Sequence, residues 1–157
     1  EIEEPEEPDL PETPEELKEV LIAFRDQDPN GDGLQNEIPF TFQDAWGWAR
    51  SIENLFGAFG VLENDDHVFT RDGEVIFSAR EQGYYDTLIY LNDLYREGLI
   101  DKDVFTLSSD QYAARGASGD ILGLVAGYRS SDAGYVGQIS MTICQDHTVS
   151  LWISLIR

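Results

Sequence analysis

The sequence predicts a single folded domain in which helices and strands are interspersed, of either the α/β or the α+β class. At 157 residues the chain is long enough for one domain with a sizeable core, and 41% of its residues are hydrophobic. Segments with the apolar spacing of helices stand between short runs with the apolar content of strands. The acidic, proline-rich residues 1–12 show neither pattern and are interpreted as an arm or linker, so the domain is expected to cover residues 13–157.

The first predicted helix begins with a capping-box signature. Thr13 stands at the N-cap, Pro14 takes the first helical position and Glu16 completes the box. Four apolar residues follow at i, i+3, i+4 and i+7: Leu17, Val20, Leu21 and Phe24. This spacing places them on one face of a helix that leads directly into a loop starting at Asp28.

A short helix and a β-hairpin are predicted for the middle of the chain. Residues 44–56 are assigned to the helix, which a glycine-rich loop follows. Asp72 and Gly73 lie between alternating apolar residues, and Asp-Gly in that setting is a strong hairpin signal. The hairpin strands are therefore placed at residues 67–70 and 74–77.

The second half of the chain contains a long helix and several strands. Residues 82–96 form the predicted helix, because apolar and aromatic residues recur along one stripe, and Gly98 is typical of the position just past a helix end. The stripe consists of Tyr85, Leu88, Ile89, Asn92 and Tyr95, with Leu91 and Leu94 beside it. The other predicted elements are a helix at 110–115 and strands at 121–128, 136–143 and 148–156.

The strong negative charge narrows the classes of partner. The chain carries 31 acidic against 10 basic residues, a formal net charge of -21. Nucleic acid and anionic membrane surfaces would repel such a chain, whereas divalent cations and neutral ligands such as sugars are compatible with it. No apolar run approaches the roughly 18 residues of a membrane-spanning helix, so no direct membrane insertion is expected.

The segment of residues 28–39, called the acidic loop from here on, has the composition of a cation site. Oxygen-bearing side chains fall at every second position, Gly33 permits a tight turn, and the backbone carbonyl of Leu34 can supply a further oxygen. Side-chain oxygens come from Asp28, Asn30, Asp32 and Asn36. This spacing suits Ca2+, which takes about six to eight oxygen ligands. The alternative is an ordinary turn without metal, since Asp, Asn and Gly are the usual turn residues.

The acidic loop departs from a standard EF-hand. Its twelfth position holds Pro39 instead of a bidentate Glu, so Glu37 is the candidate closing ligand. The residue before a proline is disfavoured in the helical region, so Ile38 is expected to continue as extended chain and the second EF-hand helix is missing. A structural calcium site is therefore favoured over a sensor that opens on binding.

Several motifs together resemble the extracellular solute-binding proteins of carbohydrate ABC transporters, of the oligosaccharide- and alginate-binding type. They are TPEEL at 13–17, DPNGDG at 28–33 with NEIP at 36–39, NLFGAFG at 54–60 and YLNDLYREGLID at 90–101. The resemblance extends over residues 13–128. Residues 129–157 form an atypical tail outside it.

The resemblance implies one α/β lobe of the periplasmic-binding-protein type, with a mixed sheet, flanking helices and a calcium loop after the first helix. Members of this family are much longer and have two lobes that close on a ligand. The acidic ligand of their loop comes earlier than in an EF-hand, as Glu37 does here. The implied Ca2+ ligands are Asp28, Asn30, Asp32, Leu34 through its carbonyl, Asn36 and Glu37.

The implied function is the binding of an oligosaccharide without catalysis, by a calcium-stabilised lobe that works with an ABC-transporter permease. The implied location is extracellular or periplasmic, with a signal and a lipid anchor expected only in a precursor, since the chain opens on Glu1 without a signal peptide. The short chain and the unfamiliar tail leave an alternative open. It is a small calcium-binding module, derived from such a lobe, that acts in protein interaction or as a scaffold.

Candidate ligand contacts come from two tryptophans. Trp46 and Trp48 could stack on sugar rings, although packing in the core is an equally ordinary role for large aromatic residues. No catalytic constellation stands out, because there is no Gly-x-Ser-x-Gly sequence and no acid pair is singled out by its context. His67 and His147 lack a second His or Cys at zinc-ligand spacing, so both are interpreted as structural or surface residues.

Overall fold

A computed structural model of the protein describes residues 11–42, 52–64, 66–118, 122–126, 138–142 and 150–154. The helices are α1 (Pro14–Asp26), α2 (Gln82–Arg96) and α3 (Ser109–Ser118), with short 3-10 helices at Ile52–Phe59 and Ser78–Arg80. The strands are β1 (Ile38–Thr41), β2 (Val68–Arg71), β3 (Glu74–Phe77), β4 (Leu122–Ala126), β5 (Gln138–Thr142) and β6 (Ser150–Ser154). Helices and strands are interspersed along the chain, and the strands of the main sheet include a parallel pair, which confirms the predicted α/β class.

The capping box predicted for α1 is formed. The amide of Glu16 donates to the Thr13 hydroxyl oxygen at 3.2 Å, and the Thr13 amide donates back to the Glu16 carboxylate at 3.3 Å. Leu17 and Leu21 are buried, whereas Val20 lies at the edge of the predicted apolar face and is exposed. The capping box fixes the residue at which α1 begins. The acidic loop follows directly from the last turn of the same helix.

β2 and β3 form the predicted hairpin, shifted by one residue at its first strand. Val68 pairs with Phe77 and Arg71 with Glu74 in an antiparallel register. Asp72 and Gly73 connect them with φ angles of 53° and 82°. Two successive positive φ values are the requirement of a type I′ turn, which explains why an Asp-Gly pair stands there.

α2 packs against the 3-10 helix that precedes the hairpin. Gly83 makes this possible, because a Cβ at that position would lie 2.2 Å from the backbone oxygen of Phe59. The aromatic rings of Phe56 and Tyr84 lie 4.8 Å apart across the same contact. The sequence predicted a short helix over 44–56; the structure has the 3-10 helix Ile52–Phe59, and residues 43–51 lie outside the described part.

The main sheet has four strands in the order β1-β4-β6-β5. β1 and β4 are parallel, with Ile38 opposite Leu122 and Thr41 opposite Val125. The pairs β4–β6 and β5–β6 are antiparallel, so the sheet is mixed, as the family resemblance implied. Two strands of this sheet, β5 and β6, come from the tail that showed no family resemblance.

The hydrophobic core lies between α1, β1 and α2. Its central side chain is Phe40 of β1, which is fully buried. It belongs to a cluster of buried side chains that includes Leu21 of α1, Leu94 of α2 and Val104. The other members are Leu17, Phe42, Leu55, Phe56, Val61, Leu91, Leu99, Ile100 and Leu124. α2 contributes through Leu91 and Leu94, not through the stripe of Tyr85, Leu88, Ile89 and Tyr95, which is exposed.

A cluster of polar groups holds the chain that follows α2 against β1. The Asp101 amide donates to the carbonyl of Phe40 at 2.8 Å, and the Thr41 hydroxyl donates to the Asp101 carboxylate at 3.1 Å. Arg115 of α3 donates to both Asp101 and Asp103. Burial opposes the charge of Arg115, but its hydrogen bonds to the two carboxylates outweigh this and raise its pKa.

Within the described residues, no helix is both long and apolar enough to cross a membrane.

Substitutions on α2 should separate its two faces. Leu94→Ala removes a side chain with 0% exposure, so we expect a loss of about 2–5 kcal/mol in the free energy of unfolding, measured by urea denaturation. Leu88→Ala is the matched control on the exposed face and should cost less than about 1 kcal/mol. An equal loss for both variants would contradict this assignment of the buried face.

Candidate functional site

The acidic loop starts where α1 ends. The amide of Gln27, the C-cap of α1, donates to the carbonyl of Ala23 at 3.0 Å. The chain then turns through left-handed backbone at Asp28, Gly31 and Gly33, whose φ angles are 46°, 70° and 76°. Glycine adopts this region without cost and Asp is among the residues that tolerate it. The loop therefore curls on itself over a few residues before β1 begins.

Backbone amides hold the carboxylates of the acidic loop in place. The amides of Asp32 and Gly33 donate to the two oxygens of Asp28 at 3.1 and 2.9 Å. The Asp32 amide also donates to the side-chain oxygen of Asn30, and the Leu34 amide donates to Asp32 at 2.7 Å. These contacts orient the side chains toward the centre of the loop, since each acceptor is tied to an amide further along the chain.

Three carboxylates meet inside the loop. Asp28, Asp32 and Glu37 each offer an oxygen, and these oxygens all lie within 4.8 Å of one another. Glu37 Oε2 accepts a hydrogen bond from the backbone amide of Asn36 at 3.1 Å. The other oxygen, Oε1, is buried and has no hydrogen-bond partner. A buried carboxylate oxygen without a partner is costly. A divalent cation bound there would supply that partner and offset two of the three negative charges, so the donor set fits a hard cation.

The remaining predicted ligands lie in the same loop, but their oxygens differ in whether they are free to bind a cation. Leu34 is 60% exposed and its side chain carries no oxygen, so the group that this residue can turn toward a cation is its backbone carbonyl. The side-chain oxygen of Asn30 is engaged with the Asp32 amide. Asn36 turns its amide nitrogen toward Asp32 at 3.1 Å. Coordination by Asn36 would need that amide rotated by half a turn, so that its oxygen faces the carboxylates.

The two tryptophans predicted as sugar contacts, Trp46 and Trp48, lie outside the described residues. In chain order they follow β1, whose carboxyl end is at Thr41. β4 runs parallel to β1 and its carboxyl end lies at the same edge of the sheet. In open α/β sheets, ligands bind in the crevice outside the carboxyl ends of parallel strands. The carboxyl edge of β1 and β4 is therefore where a ligand site is expected in a fold of this kind.

The acidic loop borders a polar cleft of about 440 Å3. Glu37 lines the cleft, and so do Asp101, Asp103 and Arg115. These last three residues were not predicted from the sequence as part of a site. Asp101 and Arg115 are ordinary charged residues in the sequence, and only the contact of α3 with the chain after α2 brings them together.

His67 is structural, as the sequence predicted. Its Nδ1 contacts a carboxylate oxygen of Glu63, which is buried, and its ring stands edge-on to Phe77 and Tyr84. Burial raises the pKa of the Tyr84 hydroxyl, and the nearby carboxylates of Glu63 and Glu53 raise it further.

Among the described residues, the acidic loop is the place where three or more potential metal ligands meet. His147 lies outside the described residues.

Comparisons with known proteins point to a single family. The chain is 41% identical over 102 residues to the fructooligosaccharide ABC-transporter substrate-binding protein FusA of Streptococcus pneumoniae. The chain resembles part of an oligosaccharide-binding protein of an ABC transporter. This confirms the resemblance inferred from the sequence motifs. No family model matches the chain.

Solved structures with the same fold are proteins of this kind. FusA in complex with kestose superimposes with a TM-score of 0.73 and 31% identity, over 91% of this chain and 27% of FusA. An EF-hand mutant of FusA in complex with fructo-nystose superimposes with a TM-score of 0.74 and 29% identity, over 93% of this chain and 33% of that one. An extracellular solute-binding protein of Bifidobacterium longum subsp. infantis gives a TM-score of 0.69 and 28% identity, over 80% and 27% of the two chains.

The chain spans only part of these relatives. It covers 19% of the FusA sequence that it matches and about a third or less of the solved chains. The similarity therefore establishes the fold and the kind of protein for this part.

The polar cluster at the cleft can be tested by removing its centre. Asp101→Ala leaves the buried Thr41 hydroxyl without its acceptor and removes a carboxylate partner from Arg115, so we expect a loss of about 2–3 kcal/mol in the free energy of unfolding. Asp103→Ala is the matched control. Because the side chain of Asp103 is mostly exposed, its removal should cost less than about 1 kcal/mol by urea denaturation. Equal effects would show that Asp101 does not tie β1 to α3.

Proposed function

We propose that the chain is a calcium-stabilised, carbohydrate-binding lobe of an ABC-transporter solute-binding protein and that it is not an enzyme. The observation that carries this proposal is the similarity to FusA in both sequence and fold, since FusA has been solved with kestose bound. The relatives are substrate-binding proteins, and no catalytic constellation stands out in the sequence.

The proposed calcium ligands are Asp28, Asn30, Asp32, the Leu34 carbonyl, Asn36 and Glu37. Two observations support them: the carboxylate oxygens that converge within 4.8 Å and the unpartnered, buried Oε1 of Glu37. The existence of an EF-hand mutant of FusA is in keeping with a cation loop in that relative. In this chain the ion would join the end of α1 to the start of β1, so its role is to stabilise the lobe.

The proposed ligand is an oligosaccharide held at the carboxyl edge of β1 and β4, with Trp46 and Trp48 stacking on sugar rings. The parallel pairing of these strands supports the choice of edge. A permease of an ABC transporter is the proposed protein partner. The proposed location is extracellular or periplasmic, in keeping with the extracellular solute-binding protein of Bifidobacterium longum subsp. infantis, which shares the fold.

Calcium should stabilise the protein. Binding to the native state alone adds about 2.7 kcal/mol at a hundredfold excess over Kd, which raises the melting temperature by about 5–10 °C for a chain of this size. Scanning calorimetry with CaCl2 measures this rise, and EDTA should reverse it. No change in melting temperature would overturn the calcium proposal.

Substitution of the closing ligand locates the site. Glu37→Gln removes one charged ligand, so the calcium-induced rise should fall to less than half that of the unsubstituted protein at the same CaCl2 concentration. Glu19→Gln on the exposed face of α1 is the matched control, because it removes the same charge away from the loop and should leave the rise unchanged. A full rise in the Glu37 variant would place the ion elsewhere.

Titration calorimetry with kestose tests the carbohydrate proposal. We expect measurable binding, weakened at least about tenfold, or 1.4 kcal/mol, by Trp46→Ala or Trp48→Ala. Phe77→Ala is the control, because it removes an exposed aromatic ring from the β2–β3 hairpin, which forms a sheet separate from β1 and β4. Absence of heat with kestose and with longer fructooligosaccharides, or full affinity in both tryptophan variants, would contradict the proposal.

A further inference from the structure

One buried carboxylate lies outside both the acidic loop and the polar cleft. The side chain of Glu63 is only 2% exposed. Its Oε1 contacts Nδ1 of His67, while its Oε2 is buried and has no hydrogen-bond partner among the described residues. A buried charge without compensation is costly. The contact with His67 is therefore the interaction on which the Glu63 carboxylate depends.

His67 stands at the base of the β2–β3 hairpin, immediately before β2. Its carbonyl oxygen accepts hydrogen bonds from the backbone amide of Ser78 at 2.9 Å and from the Ser78 hydroxyl at 3.1 Å. Ser78 directly follows β3 and is fully buried. The φ angle of His67 is 55°, in the left-handed region that few side chains adopt. His67 therefore closes the open end of the hairpin in a conformation that its contacts have to maintain.

The ring of His67 also connects the hairpin to α2. It stands edge-on to Tyr84 of α2, with 6.0 Å between the ring centres, and edge-on to the uncharged ring of Phe77 in β3 at 6.3 Å. Glu63, His67, Ser78 and Tyr84 together are called the hairpin joint. Loss of the contact between Glu63 and His67 would weaken the attachment of the hairpin base to α2.

The titratable groups around the imidazole are acidic. Tyr84 belongs to α2, Glu53 to the 3-10 helix that precedes the hairpin, and Asp66 stands next to His67 in the chain. Burial raises the pKa of the Tyr84 hydroxyl, and the carboxylates of Glu63 and Glu53 raise it further, so both carboxylates lie near that ring. In the part of the chain that the structure describes, a protonated His67 is the positive charge that pairs with Glu63.

We propose that the hairpin joint is sensitive to pH: it is closed while Glu63 and His67 share a proton, and it loosens when that proton is lost. Histidine is the side chain whose charge ordinarily changes between about pH 5 and pH 8. With the proton the pair has no net charge. When the proton passes to solvent, a buried carboxylate is left facing a neutral imidazole. The stabilisation is therefore present on the acidic side of this titration and is lost as the pH rises.

Hydrogen exchange of single amides, followed by NMR and corrected for the intrinsic effect of pH, measures the joint directly. The Ser78 amide reports on the joint because it donates to the His67 carbonyl, and the Leu99 amide reports on the core because it donates to the Leu94 carbonyl. We expect protection of Ser78 to be at least about fivefold lower at about pH 8 than at about pH 5, and protection of Leu99 to change by less than about twofold. Equal protection of Ser78 at the two pH values, or a fall that Leu99 shares in full, would overturn the proposal.

His67→Asn tests whether the imidazole carries the effect. Asparagine keeps an N–H donor and tolerates left-handed backbone, but it does not titrate. Protection of the Ser78 amide in this variant should be the same at the two pH values. Asp66→Asn is the matched control, because it removes an exposed carboxylate beside His67 that is not part of the joint. It should keep the full pH dependence.

A pH dependence that survives in His67→Asn would assign the proton to another group and overturn the proposal. Should that variant fail to fold, Glu63→Gln takes its place, because it removes the buried charge with little change in shape. The pH dependence of Ser78 protection should disappear in Glu63→Gln as well, and its persistence would contradict the proposal. Neither calcium nor sugar enters these measurements, so their outcome is independent of the proposed function.

Discussion

Burial of Phe40 in β1 is the constraint on which the rest of the structure depends. β1 is only four residues long, and it is held on both edges. β4 pairs with it on one side, while a parallel bridge between Phe40 and Ile100 and the amide of Asp101 hold the other. α1 and α2 pack on the same cluster as Phe40. Displacement of β1 would therefore remove packing contacts from both helices.

β1 also connects the two regions on which the proposed function rests. Glu37 directly precedes the strand, and the segment with Trp46 and Trp48 follows it. The acidic loop thus leads directly into a strand that is held on both edges. A cation in the loop would act at the amino end of β1, at the opposite end of the strand from the proposed ligand site.

Local signals in the sequence were the ones that could be read correctly. The capping box at Thr13, the Asp-Gly turn at Asp72 and the bounds of α2 each depend on residues only a few positions apart. The contacts that could not be predicted are long-range. The pairing of Arg115 with Asp101 and the exposed α2 stripe depend on which surfaces the fold happens to bring together. The stripe in particular has a proper helical period, and periodicity alone does not tell a buried face from an exposed one.

The strand register also determines the order in which the lobe can form. The hairpin of β2 and β3 and the two long helices need only neighbouring residues, so they can form as soon as their own segments leave the ribosome. β1 pairs with residues 122–125, more than eighty positions along the chain, and β4 then needs β6 on its far edge. The acidic loop therefore gains this anchor only after residues 122–125 have been synthesised. Until then, Phe40 and its neighbours remain available to chaperones and to misfolding partners.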